Sequence, residues 1–117
     1  MNTISPEFTL ERRDCIEGMR ALGAESVDLV VTSPPYNLGI KYKNYKDTRK
    51  REDYLDWSKQ WAKEVERILK PEGSFFLNLG ACPSDPLIPH ELVVEFKRSF
   101  FVLQNTFHWI KSITVET

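Results

Sequence analysis

The chain has 117 residues, which is within the usual range of a single domain and enough for a hydrophobic core. Apolar residues make up 41% of the sequence and charged residues 28%, which is typical of a globular protein and argues against a disordered one. Lys and Arg number 16 against 17 for Asp and Glu, so any affinity for nucleic acid must come from a local patch.

The cysteines, the histidines and the N-terminus carry no signal for a special class of protein. Cys15 and Cys82 are too far apart for a metal-binding pair, and we expect small buried or partly buried side chains. His90 and His108 lack the spacing of metal ligands, so no metal is expected. Because no secretory pattern and no long apolar run occur, we expect a cytoplasmic protein without a membrane partner.

The first elements in chain order are a short strand and a helix. Residues 8–10 could form the strand. Asp14 is a plausible cap for a helix over 14–22, which has apolar residues at helical spacing and ends at Gly23.

A buried strand followed by a stiff loop comes next. Residues 27–31 are almost continuously apolar, as in strands of parallel sheets. Pro34 and Pro35 then end the strand, because neither can donate a ladder hydrogen bond and both have a fixed φ. The loop Thr32-Ser33-Pro34-Pro35-Tyr36 thus presents rigid acceptors at the carboxyl end of a strand, where open α/β sheets bind ligands.

A basic loop is predicted over residues 37–52, with an aromatic residue on each side of Asn44. Such a loop suits contacts with phosphates next to a base-binding pocket, although basic runs are also common on solvated surfaces. Its candidate DNA-binding residues are Lys41, Lys43, Lys46, Arg49, Lys50 and Arg51.

The rest of the chain alternates helices and strands. Residues 53–70 have a broad apolar face and predict a helix, in which Trp57 and Trp61 are assigned to the core. Residues 69–74 predict a turn, 75–79 a buried strand, 87–99 a helix and 101–110 a third strand.

This order predicts an α/β protein, with a parallel sheet and flanking helices. Asn78 and Gly80, which follow the second buried strand, would then lie at the same sheet edge as Ser33. Small residues at that edge would let the backbone approach a bound base or cofactor.

The Thr-Ser-Pro-Pro-Tyr loop resembles the catalytic motif of the DNA amino-methyltransferases, and the flanks 14–22 and 69–78 also resemble that family. The resemblance implies a partial Rossmann-like methyltransferase fold, S-adenosylmethionine as cofactor and double-stranded DNA as partner. A motif with Ser directly before the two prolines, as at Ser33, is similar to that of the cytosine-N4 enzymes of restriction-modification systems. It implies catalytic roles for Ser33, Pro34, Pro35 and Tyr36, and cofactor binding by Asn37 and Asp14.

The chemistry of amine methylation explains these residue types. The lone pair of an exocyclic amine is delocalised into the base, so two acceptors on its hydrogens would help it attack a sulfonium methyl. Ser33 Oγ and the Pro34 carbonyl are the natural pair. Tyr36 would stack on a base that has been flipped out of the duplex. No cysteine nucleophile is needed.

The cofactor half of this family is not recognisable in the sequence. Its glycine-rich segment has two glycines separated by one residue, whereas the five glycines here never fall two apart. We therefore expect residues 1–117 to form an incomplete, catalytic half of a methyltransferase domain. The isolated chain should have little activity and would need the remaining half or a second subunit.

Other functions fit the same residues. Adenine-N6 transfer uses the same acceptor geometry, and an amide methyltransferase acting on protein is a further alternative. Outside the enzymes, the chain could be a non-catalytic DNA-binding or interaction module that keeps the fold. The Pro-Pro-Tyr run by itself could also be a ligand for a small recognition domain.

Overall fold

The computed structural model describes residues 7–37, 50–81 and 83–110, and within these ranges it has three helices and two strands. In chain order they are α1 (Cys15–Arg20), β1 (Val27–Thr32), α2 (Arg51–Ile68), β2 (Leu69–Leu77) and α3 (Ile88–Ser99). The strands pair in parallel and α2 connects them, which confirms the predicted α/β class with a parallel sheet and flanking helices. None of the described helices is long and apolar enough to cross a membrane.

Helix α1 begins at the predicted cap. The carboxylate of Asp14 accepts hydrogen bonds from the backbone N–H of Ile16, at 3.0 Å, and of Glu17, at 3.3 Å. These bonds satisfy two donors that the first turn of a helix cannot pair internally. The helix ends at Arg20, two residues before the predicted end.

Helix α2 supplies most of the core, as its apolar pattern predicted. It starts and ends two residues earlier than predicted. Its early end agrees with the extended backbone of Leu69 and with Pro71, which disfavours a helical conformation in the residue before the proline. Trp61 is buried and Trp57 packs against it with 6.4 Å between ring centroids, which confirms the core assignment of both. Helix α3 adds the buried side chains of Ile88, Leu92 and Phe96.

The pairing of β1 with β2 is regular at one end and bulged at the other. Val27 pairs with Leu69 and Leu29 with Ser74, so β2 advances five residues while β1 advances two. The predicted turn over 69–74 is therefore wrong, since these residues belong to the strand and absorb the extra length as a bulge. A Cβ at Gly73 would lie 2.9 Å from the Leu69 side chain, so the bulge needs a glycine.

Only one face of this sheet is covered by the described residues. Val30, Phe75 and Leu77 are half-buried against the core formed by α2 and α3. On the other face Leu29, Val31 and Phe76 are exposed.

The two remaining strand predictions are wrong. Residues 101–110 have no regular secondary structure and include the exposed side chains of Val102, Phe107 and Trp109. A loose apolar alternation predicts a strand only if a neighbouring strand satisfies its backbone, and the described sheet contains only β1 and β2. Residues 8–10 likewise form no strand.

Ser58 offers a test of the core. Its side chain is completely buried in α2, and its Oγ has no hydrogen-bond partner within the described ranges. Because a desolvated, unpaired hydroxyl costs free energy, Ser58→Ala should leave the free energy of unfolding unchanged or raise it by about 1 kcal/mol in urea denaturation.

The neighbouring Ala62, also completely buried, provides the matched control. Ala62→Ser adds a buried hydroxyl and should destabilise the protein by about 1–3 kcal/mol. A loss of more than about 1 kcal/mol in Ser58→Ala would mean that the Ser58 hydroxyl stabilises the fold, contrary to this interpretation.

Candidate active site

The site forms where the two strands end side by side. Thr32, the last residue of β1, pairs with Leu77, the last residue of β2. The backbone N–H of Asn78 donates to the Thr32 carbonyl at 2.9 Å, which extends the ladder by one bond. The loops that begin at Ser33 and Asn78 therefore start next to each other, as the sequence predicted for a parallel sheet.

The side chain of Asn78 joins two of the predicted catalytic residues. Its Nδ2 donates to Ser33 Oγ at 3.1 Å and to the Tyr36 hydroxyl at 2.9 Å. Sequence reasoning placed Asn78 at this edge but assigned it no role. The signal that could have identified Asn78 as a site residue is its position as a polar residue directly after a buried strand.

Gly80 packs directly against the ring of Tyr36. A Cβ at this position would lie 2.8 Å from Tyr36 Cδ2 and 2.9 Å from Cε2, closer than side chains approach one another. The structure thus gives the small residue a contact with Tyr36, whereas its predicted role, the approach of the backbone to a bound base or cofactor, stays a prediction. The position of the half-buried Tyr36 ring therefore depends on the absence of a side chain at residue 80.

The proline loop is also held from the core side. The hydroxyl of Tyr54, in the first turn of α2, donates to the Pro35 carbonyl at 2.6 Å. Pro34 is buried, whereas Ser33 is exposed at the surface. The loop is therefore anchored at its prolines and presents the Ser33 hydroxyl outward.

Of the two predicted cofactor-binding residues, Asp14 has a structural task. Its carboxylate caps α1, as described above. Asn37 ends the proline loop with a φ of 62°, in the left-handed region that Asn tolerates better than most side chains. The cofactor role of both residues stays a prediction.

The predicted basic loop is described only at its ends. Lys41, Lys43, Lys46 and Arg49 lie outside the described residues, and Lys50 is exposed just before α2. The predicted end of the loop at residue 52 is wrong, because Arg51 and Glu52 already belong to α2.

Arg51 makes ion pairs with α3 and the loop before it. Its Nε lies 2.8 Å from Glu91 Oε2, and its Nη1 lies 3.3 Å from Asp85 Oδ1. These carboxylates already balance its charge, which makes Arg51 a weaker candidate for a phosphate contact than Lys50.

The cysteine prediction is wrong for Cys15 and lies outside the described residues for Cys82. Cys15 is exposed at the start of α1, because the core-facing position of that short helix is occupied by Ile16. Partial desolvation, and then the neighbouring Asp14 carboxylate, raise the pKa of the Cys15 thiol. A raised pKa lowers the thiolate fraction and makes this thiol a poor nucleophile. The described residues contain no group of three or more potential metal ligands.

The arrangement places a hydrogen-bond acceptor next to an aromatic ring. A serine oxygen has two lone pairs, and the amide of Asn78 occupies one of them. The other can accept a second hydrogen bond. The Pro34 carbonyl belongs to the same stiff loop, and Tyr36 is fixed beside it by Asn78 and Gly80.

Comparison with known proteins places this geometry in a family. A family model described as "DNA methylase", of the N6 and N4 type, matches residues 27–116. The type II methyltransferase M.MjaVI of Methanocaldococcus jannaschii is 54% identical over 55 residues, which cover 47% of this chain and 28% of M.MjaVI. M.ScaI of Streptomyces caespitosus, also a type II methyltransferase, is 32% identical over 101 residues, which cover 84% of this chain and 32% of M.ScaI.

A solved structure supports the fold. The PvuII DNA methyltransferase (cytosine-N4-specific) superimposes with a TM-score of 0.57 at 24% identity, over 75% of this chain and 32% of that one. The chain thus spans a third or less of the length of each of these proteins. The family model covers most of the chain and includes both strand ends that form the site, so the chain belongs to the DNA methylase family of N4 and N6 amino-methyltransferases.

Proposed function

We propose that this site activates the exocyclic N4 amine of cytosine in DNA for methylation by S-adenosylmethionine. The observation that carries the proposal is the Asn78 amide, which holds the Ser33 hydroxyl and the Tyr36 ring in one constellation. Proteins similar to this chain are type II methyltransferases, which supports a role in DNA methylation within a restriction-modification system.

The acceptors of the loop act on the amine itself. The two N–H groups of the cytosine amine donate to Ser33 Oγ and to the Pro34 carbonyl, which favours a pyramidal nitrogen with a localised lone pair. With S-adenosylmethionine bound, that lone pair would form the new N–C bond as the methyl–sulfur bond breaks with its electron pair going to sulfur, and the nitrogen would lose one proton to solvent. S-Adenosylmethionine, when bound, supplies the electrophilic methyl group. Each well-placed acceptor contributes about 3–4 kcal/mol, by analogy with oxyanion holes.

Access to the amine requires a flipped cytosine. A base inside the duplex is stacked and paired, so the target must leave the helix before the acceptors can reach it. Tyr36 offers the stacking surface, and base–aromatic stacking is worth about 1–3 kcal/mol. Phosphate contacts come from Lys50 and from the basic residues at 41, 43, 46 and 49.

The cofactor contacts of this chain are incomplete. The 117 residues contain no glycine-rich segment of the family type, and the Asp14 carboxylate already caps α1. We infer that the remaining contacts come from a further segment of a longer protein or from a second subunit, in a cytoplasmic enzyme.

Calorimetry of the purified chain tests this inference. Titration with S-adenosylmethionine, with and without a DNA oligonucleotide, should show no binding in the micromolar range, and the chain alone should transfer no methyl groups. S-Adenosylhomocysteine, which has no methyl to transfer, serves as the matched ligand. Micromolar binding of either would show that the pocket is complete within these residues.

The choice of cytosine as the target rests on the residue type of Ser33 in the motif and not on the geometry of the site. Adenine-N6 transfer is the second candidate, because the family includes enzymes of both types. A non-catalytic DNA-binding module is the alternative from another class. It would tolerate loss of the Ser33 hydroxyl, whereas an enzyme would not.

Activity is best measured in a chimera that supplies the missing half. In this chimera, the segment of M.ScaI that matches this chain is replaced by the matching residues of this chain. Because the match covers 84% of the chain, these residues necessarily include Ser33, Tyr36, Asn78 and Gly80. Incorporation of labelled methyl into DNA is then compared with M.ScaI itself. We expect methylation by the chimera. A folded chimera, judged by circular dichroism, that transfers no methyl would contradict the proposal.

A further inference from the structure

The Pro-Pro loop lacks the donors with which loops usually fix themselves. Proline has no backbone N–H, so neither Pro34 nor Pro35 can donate a hydrogen bond to the surrounding protein. Such a segment can be held in place only by its rings and by donors that reach its carbonyls. Donors that reach the two carbonyls therefore add to the packing of the rings in fixing where the loop points.

The structure supplies one such donor from the core. Tyr54 is 1% exposed, and its hydroxyl lies 2.6 Å from the Pro35 carbonyl oxygen. Its ring packs in the core of α2, with 6.0 Å between the ring centroids of Tyr54 and Trp57. A donor on a buried ring has little freedom, so the carbonyl that it contacts is fixed relative to the helix.

This contact sets the direction of Tyr36. The φ of Pro35 is fixed by its ring, and the carbonyl of Pro35 turns with its ψ. Holding the carbonyl fixes ψ and with it the start of Tyr36, whose hydroxyl and ring then meet Asn78 and Gly80.

We propose that Tyr54 is a positioning residue of the site, which fixes the Pro-Pro-Tyr loop from the core through its hydrogen bond to the Pro35 carbonyl. The importance of Tyr54 for methyl transfer rests on the proposed function, whereas its effect on the position of the loop does not. Tyr54 touches no reacting atom, and it acts by keeping Tyr36 in place.

Nuclear magnetic resonance of the purified chain tests the proposal without any methyl transfer. The Gly80 α-protons lie against the Tyr36 ring, so their chemical shifts report the position of that ring. Tyr54→Phe removes only the hydroxyl. We expect the Gly80 shifts to move towards their values in the urea-unfolded chain while circular dichroism shows a folded protein.

Ile68→Val is the matched control, because it removes one buried methyl group at the opposite end of α2 and does not involve the loop. The Gly80 shifts should stay at their wild-type values in this variant. Unmoved shifts in Tyr54→Phe, or equal movements in both variants, would overturn the proposal. A folded M.ScaI chimera that transfers no methyl would instead count against the proposed function and leave this result standing.

Discussion

Replacing Ser33 by Ala in the M.ScaI chimera should lower the rate of methyl transfer about 100- to 1,000-fold, the loss expected when one preorganised group at a reacting centre is removed. The substitution deletes the acceptor that Asn78 holds at 3.1 Å and leaves the bond from Asn78 to Tyr36 in place. Because Ser33 is exposed, the stability of the protein should change little. Initial rates with labelled S-adenosylmethionine measure the effect.

The same variant separates an enzyme from a binding module. Affinity for duplex DNA, measured by gel retardation at fixed salt, should stay within about twofold of the unsubstituted chimera, since most affinity comes from phosphate contacts. Ser99→Ala, at the exposed end of α3, is the control and should retain full activity. Methyl transfer that survives in Ser33→Ala would exclude Ser33 as an acceptor for the amine.

Gly80→Ala should reduce methyl transfer in the chimera about 10- to 100-fold, because a misplacement of about 1 Å in an active site can cost this much. The added Cβ would lie 2.8 Å and 2.9 Å from two carbons of the Tyr36 ring, so the ring must move. Tyr36 would then leave both the Asn78 amide and the stacking position. Rates at saturating cofactor, together with thermal melting, measure the effect on activity and stability.

Gly23→Ala is the matched glycine control. A Cβ at Gly23 would meet no atom within 4 Å, so this substitution should leave activity unchanged. It could raise stability by about 0.4–1 kcal/mol, because alanine restricts the unfolded chain. If the two variants lost activity equally, the contact between Gly80 and Tyr36 would have no functional weight.

The main elements around the site were predictable because each carries a local signal. The apolar run at 27–31 and the two prolines after it predict where β1 ends. The broad apolar face of α2 predicts that Trp57 and Trp61 pack in the core. A parallel arrangement then places Ser33 and Asn78 at one edge, and the structure has them there.

The features that were missed depend on contacts between distant parts of the chain. The hydrogen bond from Tyr54 to Pro35 joins residues 19 apart, and that from Asn78 to Ser33 joins residues 45 apart. The bulge at 69–74 arises because β2 must pair with Val27 as well as Leu29, which no local pattern of β2 reveals. A third strand was predicted at 101–110 from alternation alone, but a strand also needs a neighbour for its backbone groups.

The product of the chimera provides the most direct test of the central claim. DNA methylated by the chimera is digested to nucleosides, which are then identified by mass spectrometry against standards. A site that holds a flipped cytosine amine between Ser33 and Pro34 predicts N4-methylcytosine. N6-methyladenine alone would contradict the choice of base, and a folded chimera that yields no methylated nucleoside would contradict amine activation by this loop.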